Sequence, residues 1–144
     1  MAVELNDPDY ASGVAAFECK NFSLAMQFLS PLAQAGDADA QHRVAIMCQN
    51  GLGVVRNDER AYQMMLAAAE QGHAVAQHGI GFMYLEGECV EKDTASAAAW
   101  FRKAADQGLA GSLTTLAMMY EEGNGVDKDP DEAKRLYAKA GFDL

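Results

Sequence analysis

Apolar positions along this chain recur at helical spacing. Ala76, Ile80, Met83 and Tyr84 fall at i, i+4, i+7 and i+8, which is one face of a helix. After a turn opened by Gly87, Ala97, Trp100, Phe101, Ala104 and Ala105 form a second stripe of the same kind. Gly108 then stands where a left-handed residue closes a helix at little cost. Asp93 is placed to cap the start of the second helix. One period later Asp129, Pro130 and Glu132 predict the same start: a cap, proline at the first helical position, and a reciprocal capping box.

The pattern repeats at a shift of 36 residues without a gap. Gly36, Gly72 and Gly108 coincide, as do Met47, Met83 and Met119, Gly51, Gly87 and Gly123, and Ala61, Ala97 and Ala133. A period of this size means stacked supersecondary units. The register gives three repeats at 37–72, 73–108 and 109–144, preceded by a degenerate leader hairpin at about 8–36, all in one domain spanning 1–144. A lone helical hairpin cannot cover its own apolar faces, so neighbours stack to make a continuous core. The recurring alanines let backbones approach closely, and the methionine and aromatic stripes read as packing between layers.

The last repeat departs from the others. It runs to Leu144 with no glycine at the closing position. Its final helix carries Leu136, Tyr137, Phe142 and Leu144 on an edge that no further repeat covers, which predicts a weak homodimer through the C-terminal edge.

Composition narrows the function. Half of the 144 residues are apolar, too many for a disordered chain. Lys and Arg total 11 against 21 Asp and Glu, a net charge of −10. That balance argues against nucleic acid and against anionic membrane surfaces as partners, because both need basic contacts. No apolar run reaches the roughly 18–20 residues of a membrane span. Residues 1–12 lack the basic start and apolar centre of a secretory leader. Cys19, Cys48 and Cys89 are odd in number and irregular in spacing, which does not suit a disulfide framework. The expected location is the cytoplasm, or the periplasm if a leader has been removed.

The residues Ala74-Val-Ala-Gln77, Gly81-Phe-Met-Tyr84, Gly87, Val90, Lys92-Asp93, Ala97 and Trp100-Phe-Arg-Lys103-Ala104-Ala105 resemble the Sel1-like repeat, a cousin of the tetratricopeptide repeat with bacterial members. Gly123-Asn-Gly125-Val126 and Gly51-Leu-Gly53-Val54 carry the same turn in the flanking repeats. Three positions depart from the pattern. Cys48 stands for the tyrosine seen at Tyr84 and Tyr120, Met64 and Leu136 stand for tryptophan, and Cys89 stands for the second turn glycine. If position 89 needs positive φ, Cys89 is strained by about 1 kcal/mol.

The resemblance implies an all-α, right-handed superhelical solenoid of about four helical hairpins, with no cofactor and no catalytic residue. It also implies an adaptor or scaffold that binds an unidentified protein or peptide on its concave face. An immunity protein that neutralises a toxic effector is the alternative within binding, and an enzyme is the alternative outside it. The first helix of each repeat would line that face. The inward stripe then includes His42, Ile46 and Gln49; His78, Phe82, Leu85 and Glu86; and Thr114, Met118 and Glu121. Phe82 and Met118 would anchor a partner, and the glutamates would form an acidic rim suited to basic residues.

Other chemistry falls short. His42 and His78 occupy equivalent positions but lack further converging ligands, so they read as solvated groove residues, and His73 at a helix start reads as a surface residue. Asp127, Asp129 and Asp131 open like a calcium loop, but Glu132 stands where glycine is required. No metal is expected. Cys48 falls on a core position, Cys19 near a helix end, and Cys89 beside Glu88 and Glu91, whose charges disfavour a thiolate. None is set up as a nucleophile.

Overall fold

The computed structural model describes residues 7–142. Among them the secondary structure is entirely helical: α1 (Pro8–Glu18), α2 (Phe22–Gln34), α3 (Ala38–Asn50), α4 (Asp58–Glu70), α5 (Ala74–Glu86), α6 (Thr94–Asp106), α7 (Ala110–Glu122) and α8 (Pro130–Lys139). No helix among the described residues is long and apolar enough to cross a membrane. The chain divides into two compact units, Met1–His73 and Ala74–Leu144. In each unit every helix packs on the next in sequence.

Short polar side chains start most of these helices. Asp37 accepts from the Ala40 amide at 2.8 Å, Asn57 from Arg60 at 3.0 Å and Asp93 from Ser96 at 3.1 Å. Each bond satisfies an amide that the first helical turn leaves without a partner. Asp129 caps α8 through the Glu132 amide at 3.1 Å, with Pro130 at the first helical position. The reciprocal half of the expected capping box is absent. The Asp129 amide donates to Tyr120 O instead, and the Glu132 carboxylate pairs with Arg135 at 2.6 Å.

The helix ends are equally regular. After α6, the Gly108 amide donates to Ala105 O and the Leu109 amide to Ala104 O, the paired bonds of a Schellman motif. Gly36 and Gly72 close α2 and α4 in the same way. The last repeat, expected to lack this closure, has it three residues early. Gly141 adopts φ 98°, its amide donates to Ala138 O at 3.0 Å, and Phe142 donates to Tyr137 O at 2.9 Å. The reason is length: α8 has 10 residues where α6 has 13.

The turn after each first helix explains its glycines. Gly53 has φ 69° and Gly125 has φ 75°. A Cβ at Gly53 would collide with the backbone carbonyl group of Phe22, and one at Gly125 with that of Thr94. These turns therefore tuck against the starts of α2 and α6. Cys89 holds the same register with φ 66°, the left-handed conformation that its position in the sequence implied.

In the first unit Leu29, Val44, Ala45, Met47, Cys48, Ala61, Met65 and Ala68 are buried. Burial pushes the Cys48 thiol pKa up, as suits a core residue. In the second unit the core is Ala97, Phe101, Leu113, Leu116, Ala117, Met119, Ala133 and Leu136. Trp100, expected in the core stripe of its helix, lies only partly buried, with the Lys103 ammonium 4.5 Å from its ring centroid. Leu136 is 1% exposed, so it does not belong to an open C-terminal edge. Tyr137 meets Phe142 edge-on at 6.3 Å, and Phe142 is exposed. Leu144 lies outside the described residues.

Candidate functional site

In the second unit, the stripe expected to face a partner is part exposed and part built in. Val75, Phe82 and Met118 are among the exposed large apolar residues of the protein, Phe82 at 38% and Met118 at 51%. Glu86 and Glu121 are exposed as well. This combination comes from the register of α5 and α7. Ala76, Ile80 and Met83 turn the opposite face of α5 into the core, and Leu113, Leu116 and Met119 do the same for α7.

His78 is not solvated as expected. Its Nδ1 lies 2.6 Å from Ser112 Oγ, a hydroxyl with no exposure. Its ring contacts Phe82 at 4.8 Å and Phe101 at 5.3 Å, both edge-on. Burial lowers its pKa, so the neutral imidazole is favoured. Phe82 also meets the fully buried Phe101 at 5.2 Å. Its ring thus rests one edge on the core and offers the rest to solvent.

The other members of the stripe divide in the same way. Leu85 packs against the second unit's core. The Thr114 hydroxyl folds back to donate to its own helix at Gly111 O, 3.0 Å away. The Glu121 carboxylate accepts from the Tyr137 hydroxyl, which helps to push that phenol up to about 12. A shallow groove lined by Glu121, Pro130, Ala133, Lys134 and Tyr137 lies beside this pair.

In the first unit, Ile46 and Gln49 are half-buried on α3. His42 is not a solvated groove residue. Its ring stacks at 4.9 Å on that of His73, with the planes 31° apart. His73, expected on the surface, has its side chain only 20% exposed and places Nε2 3.4 Å from Asp39 Oδ1. The other Asp39 oxygen, Oδ2, accepts from the Tyr10 hydroxyl at 2.6 Å and from Arg43 Nε at 2.9 Å.

Three donors thus converge on one carboxylate. The bond with His73, and those from Tyr10 and Arg43, hold Asp39 well below the usual carboxylate range although burial opposes them. Burial and the Asp39 carboxylate push Tyr10 up to about 12. Burial, reinforced by the neighbouring His73, brings His42 down to about 4. This cluster was not legible in the repeat pattern. Its one signal was the i, i+3 spacing of Asp39 and His42, which puts both on one face of α3.

Two further features follow the repeat. The Gln71 side-chain amide donates to Gln41 Oε1 at 2.8 Å, and Gln41 Nε2 donates to Ala33 O at 3.1 Å. In the second unit Gln107 donates to Gln77 Oε1 at 2.9 Å.

Comparison with known proteins fits this architecture. The Sel1 repeat profile matches residues 38–73, 74–109 and 112–141. Comparison with curated proteins finds no match. Among solved structures, a Sel1 repeat protein from Oxalobacter formigenes is 33% identical, with a TM-score of 0.88 over 94% of this chain and 54% of that one. The protective antigen c5321 of uropathogenic Escherichia coli, which displays the same repeat fold, is 34% identical with a TM-score of 0.78 over 80% of this chain and 25% of that one. Cysteine-rich protein B of Helicobacter pylori shares the fold at 20% identity, with a TM-score of 0.66 over 83% of this chain and 86% of that one. The chain spans about half of the Oxalobacter protein and a quarter of c5321. Sel1 repeats generally serve as scaffolds for protein–protein interaction and are generally non-catalytic. With three matching repeats over most of its length, this chain belongs to the Sel1 repeat family, the all-α solenoids of helical hairpins.

Proposed function

We propose that this protein is a non-enzymatic adaptor that binds a protein or peptide along the outward stripe of its first helices. The observation that carries this reading is the exposure of Phe82 and Met118 on α5 and α7, with the acidic Glu86 and Glu121 also exposed on these helices. Large apolar side chains held by a rigid core lose little entropy on binding, and such side chains carry much of the energy of an interface. The net charge of −10 favours a partner segment that combines apolar residues with Lys or Arg. The irregular cysteines favour work in a reducing cytoplasm.

Selection from a displayed library of random peptides tests the proposal. Enriched sequences should pair apolar with basic residues. Their binding should fall at least ten-fold in the double variant Phe82→Ala, Met118→Ala, whose helical signal and melting stay close to those of the parent. Lack of enrichment, or binding indifferent to both substitutions, rejects it.

A further inference from the structure

We infer that Asp39, His42 and His73 form a binding site for a divalent transition-metal ion of the Zn2+ type. Each residue offers one ligand atom, and these atoms all lie within 4.8 Å of one another. Two of them are already at ligand spacing. His73 Nε2 and Asp39 Oδ1 are 3.4 Å apart, and Zn2+ with bonds of about 2.0–2.2 Å holds tetrahedral ligands roughly 3.3–3.5 Å apart. The His42 ring stacks at 4.9 Å on His73 and offers the third ligand atom, for a set of two imidazoles and one carboxylate. The remaining positions stay open to water.

The surroundings suit this assignment. Ligating carboxylates are held by further hydrogen bonds, which fix their orientation. Here Tyr10 and Arg43 both engage Oδ2, so Asp39 presents Oδ1 as a single donor. All three ligand residues are partly buried, and they come from α3 and from the residue that follows the closing glycine of α4. The donor set selects the metal class. Imidazoles suit Zn2+, Cu2+ and Ni2+, whereas Ca2+ and Mg2+ demand oxygen ligands. The ion would sit between His73 Nε2 and Asp39 Oδ1, and ligation needs neutral imidazoles, so binding weakens as pH falls. Arg43 offsets the charge of Asp39 at the site, which weakens binding relative to a structural zinc site.

The test is calorimetric titration of the full chain with Zn2+ alone, beside histidine ring resonances followed by 15N-edited NMR. One Zn2+ per chain should bind, shifting the ring signals of His42 and His73 but not those of His78. His42→Gln, His73→Gln and Asp39→Asn should each weaken binding at least ten-fold, while His78→Gln and Cys19→Ser leave it unchanged. Ca2+ should give no saturable heat. Asp39→Asn also loosens Tyr10 and Arg43, so the two histidine variants decide if its helical signal falls. No saturable Zn2+ binding, equal binding by Ca2+, or affinity that survives His42→Gln and His73→Gln would overturn the assignment.

Discussion

The side-chain amide of Gln71 donates to Gln41 at 2.8 Å, and Gln41 passes the chain of bonds on to the carbonyl of Ala33 at the end of α2. Gln41 is 7% exposed, so this is a polar wire run through the junction of α2, α3 and α4. The Ala33 carbonyl already accepts from the Gly36 amide, and Gln41 adds a second bond to it from a neighbouring helix. Replacing it by leucine keeps the volume and removes both of these bonds, while the Ala33 carbonyl keeps its Gly36 partner. Gln41→Leu should therefore cost about 1–3 kcal/mol in urea unfolding, with an unchanged denaturant slope. Gln71→Leu, on the exposed end of the wire, should cost less.

His42 makes stability depend on pH. Its folded pKa of about 4 lies below the ordinary 6.5, so between these values the unfolded chain takes up a proton that the folded chain refuses. The contribution is fully present above pH 6.5 and is lost as pH falls toward 4, about 3 kcal/mol in all. Asp39, Arg43 and His73 are the charged and titratable groups around it. Asp39, itself depressed, adds a further loss only below the usual carboxylate range. Melting followed from pH 7.5 to 4.5 should show this loss, and His42→Gln should reduce it to the part that His78, also depressed by burial, contributes.

Cys89 stores strain that glycine would release. The left-handed region costs a non-glycine residue about 1 kcal/mol, so Cys89→Gly should raise the melting temperature by about 2–4 °C. The reverse change in the first repeat should behave oppositely. Gly53→Ala drives a Cβ into the Phe22 backbone and should cost more than the strain alone.

Phe82 and Phe101 touch, yet they separate binding from folding. Phe101 has no exposure, and its truncation to alanine should cost about 3–5 kcal/mol through the cavity it leaves. Phe82→Ala removes a ring that is 38% exposed and should cost far less. Thermal melts of the two single variants measure the difference directly.

The period of 36, the helical stripes and the caps at Asp93 and Asp129 are local features, and they were legible because each is written in neighbouring residues. Gly141 was not, because a register argument looks for a glycine at 144 and cannot see that α8 is a turn shorter. The cluster of Asp39, His42 and His73 was hidden for a related reason. Register assigns His73 to the start of the next repeat, equivalent to Asp37 and Leu109, whereas its side chain turns back onto α3. Tyr10 lies in the leader, which has no repeated counterpart to compare. The packing of His78 on Ser112 and Phe101 joins α5, α6 and α7, and its spacing on α5 alone suggested only an outward residue.

Asp39 is where the far ends of the first unit meet. Tyr10 reaches it from the opening helix and His73 from the residue that closes the unit, so its shell is complete only when everything between them has folded. Loss of the leader hairpin would be felt at His73, far along the chain, and a change at His73 would loosen Tyr10. One carboxylate thereby ties the opening helix, α3 and the end of the unit together, in a class of fold whose stability is otherwise summed from neighbour to neighbour.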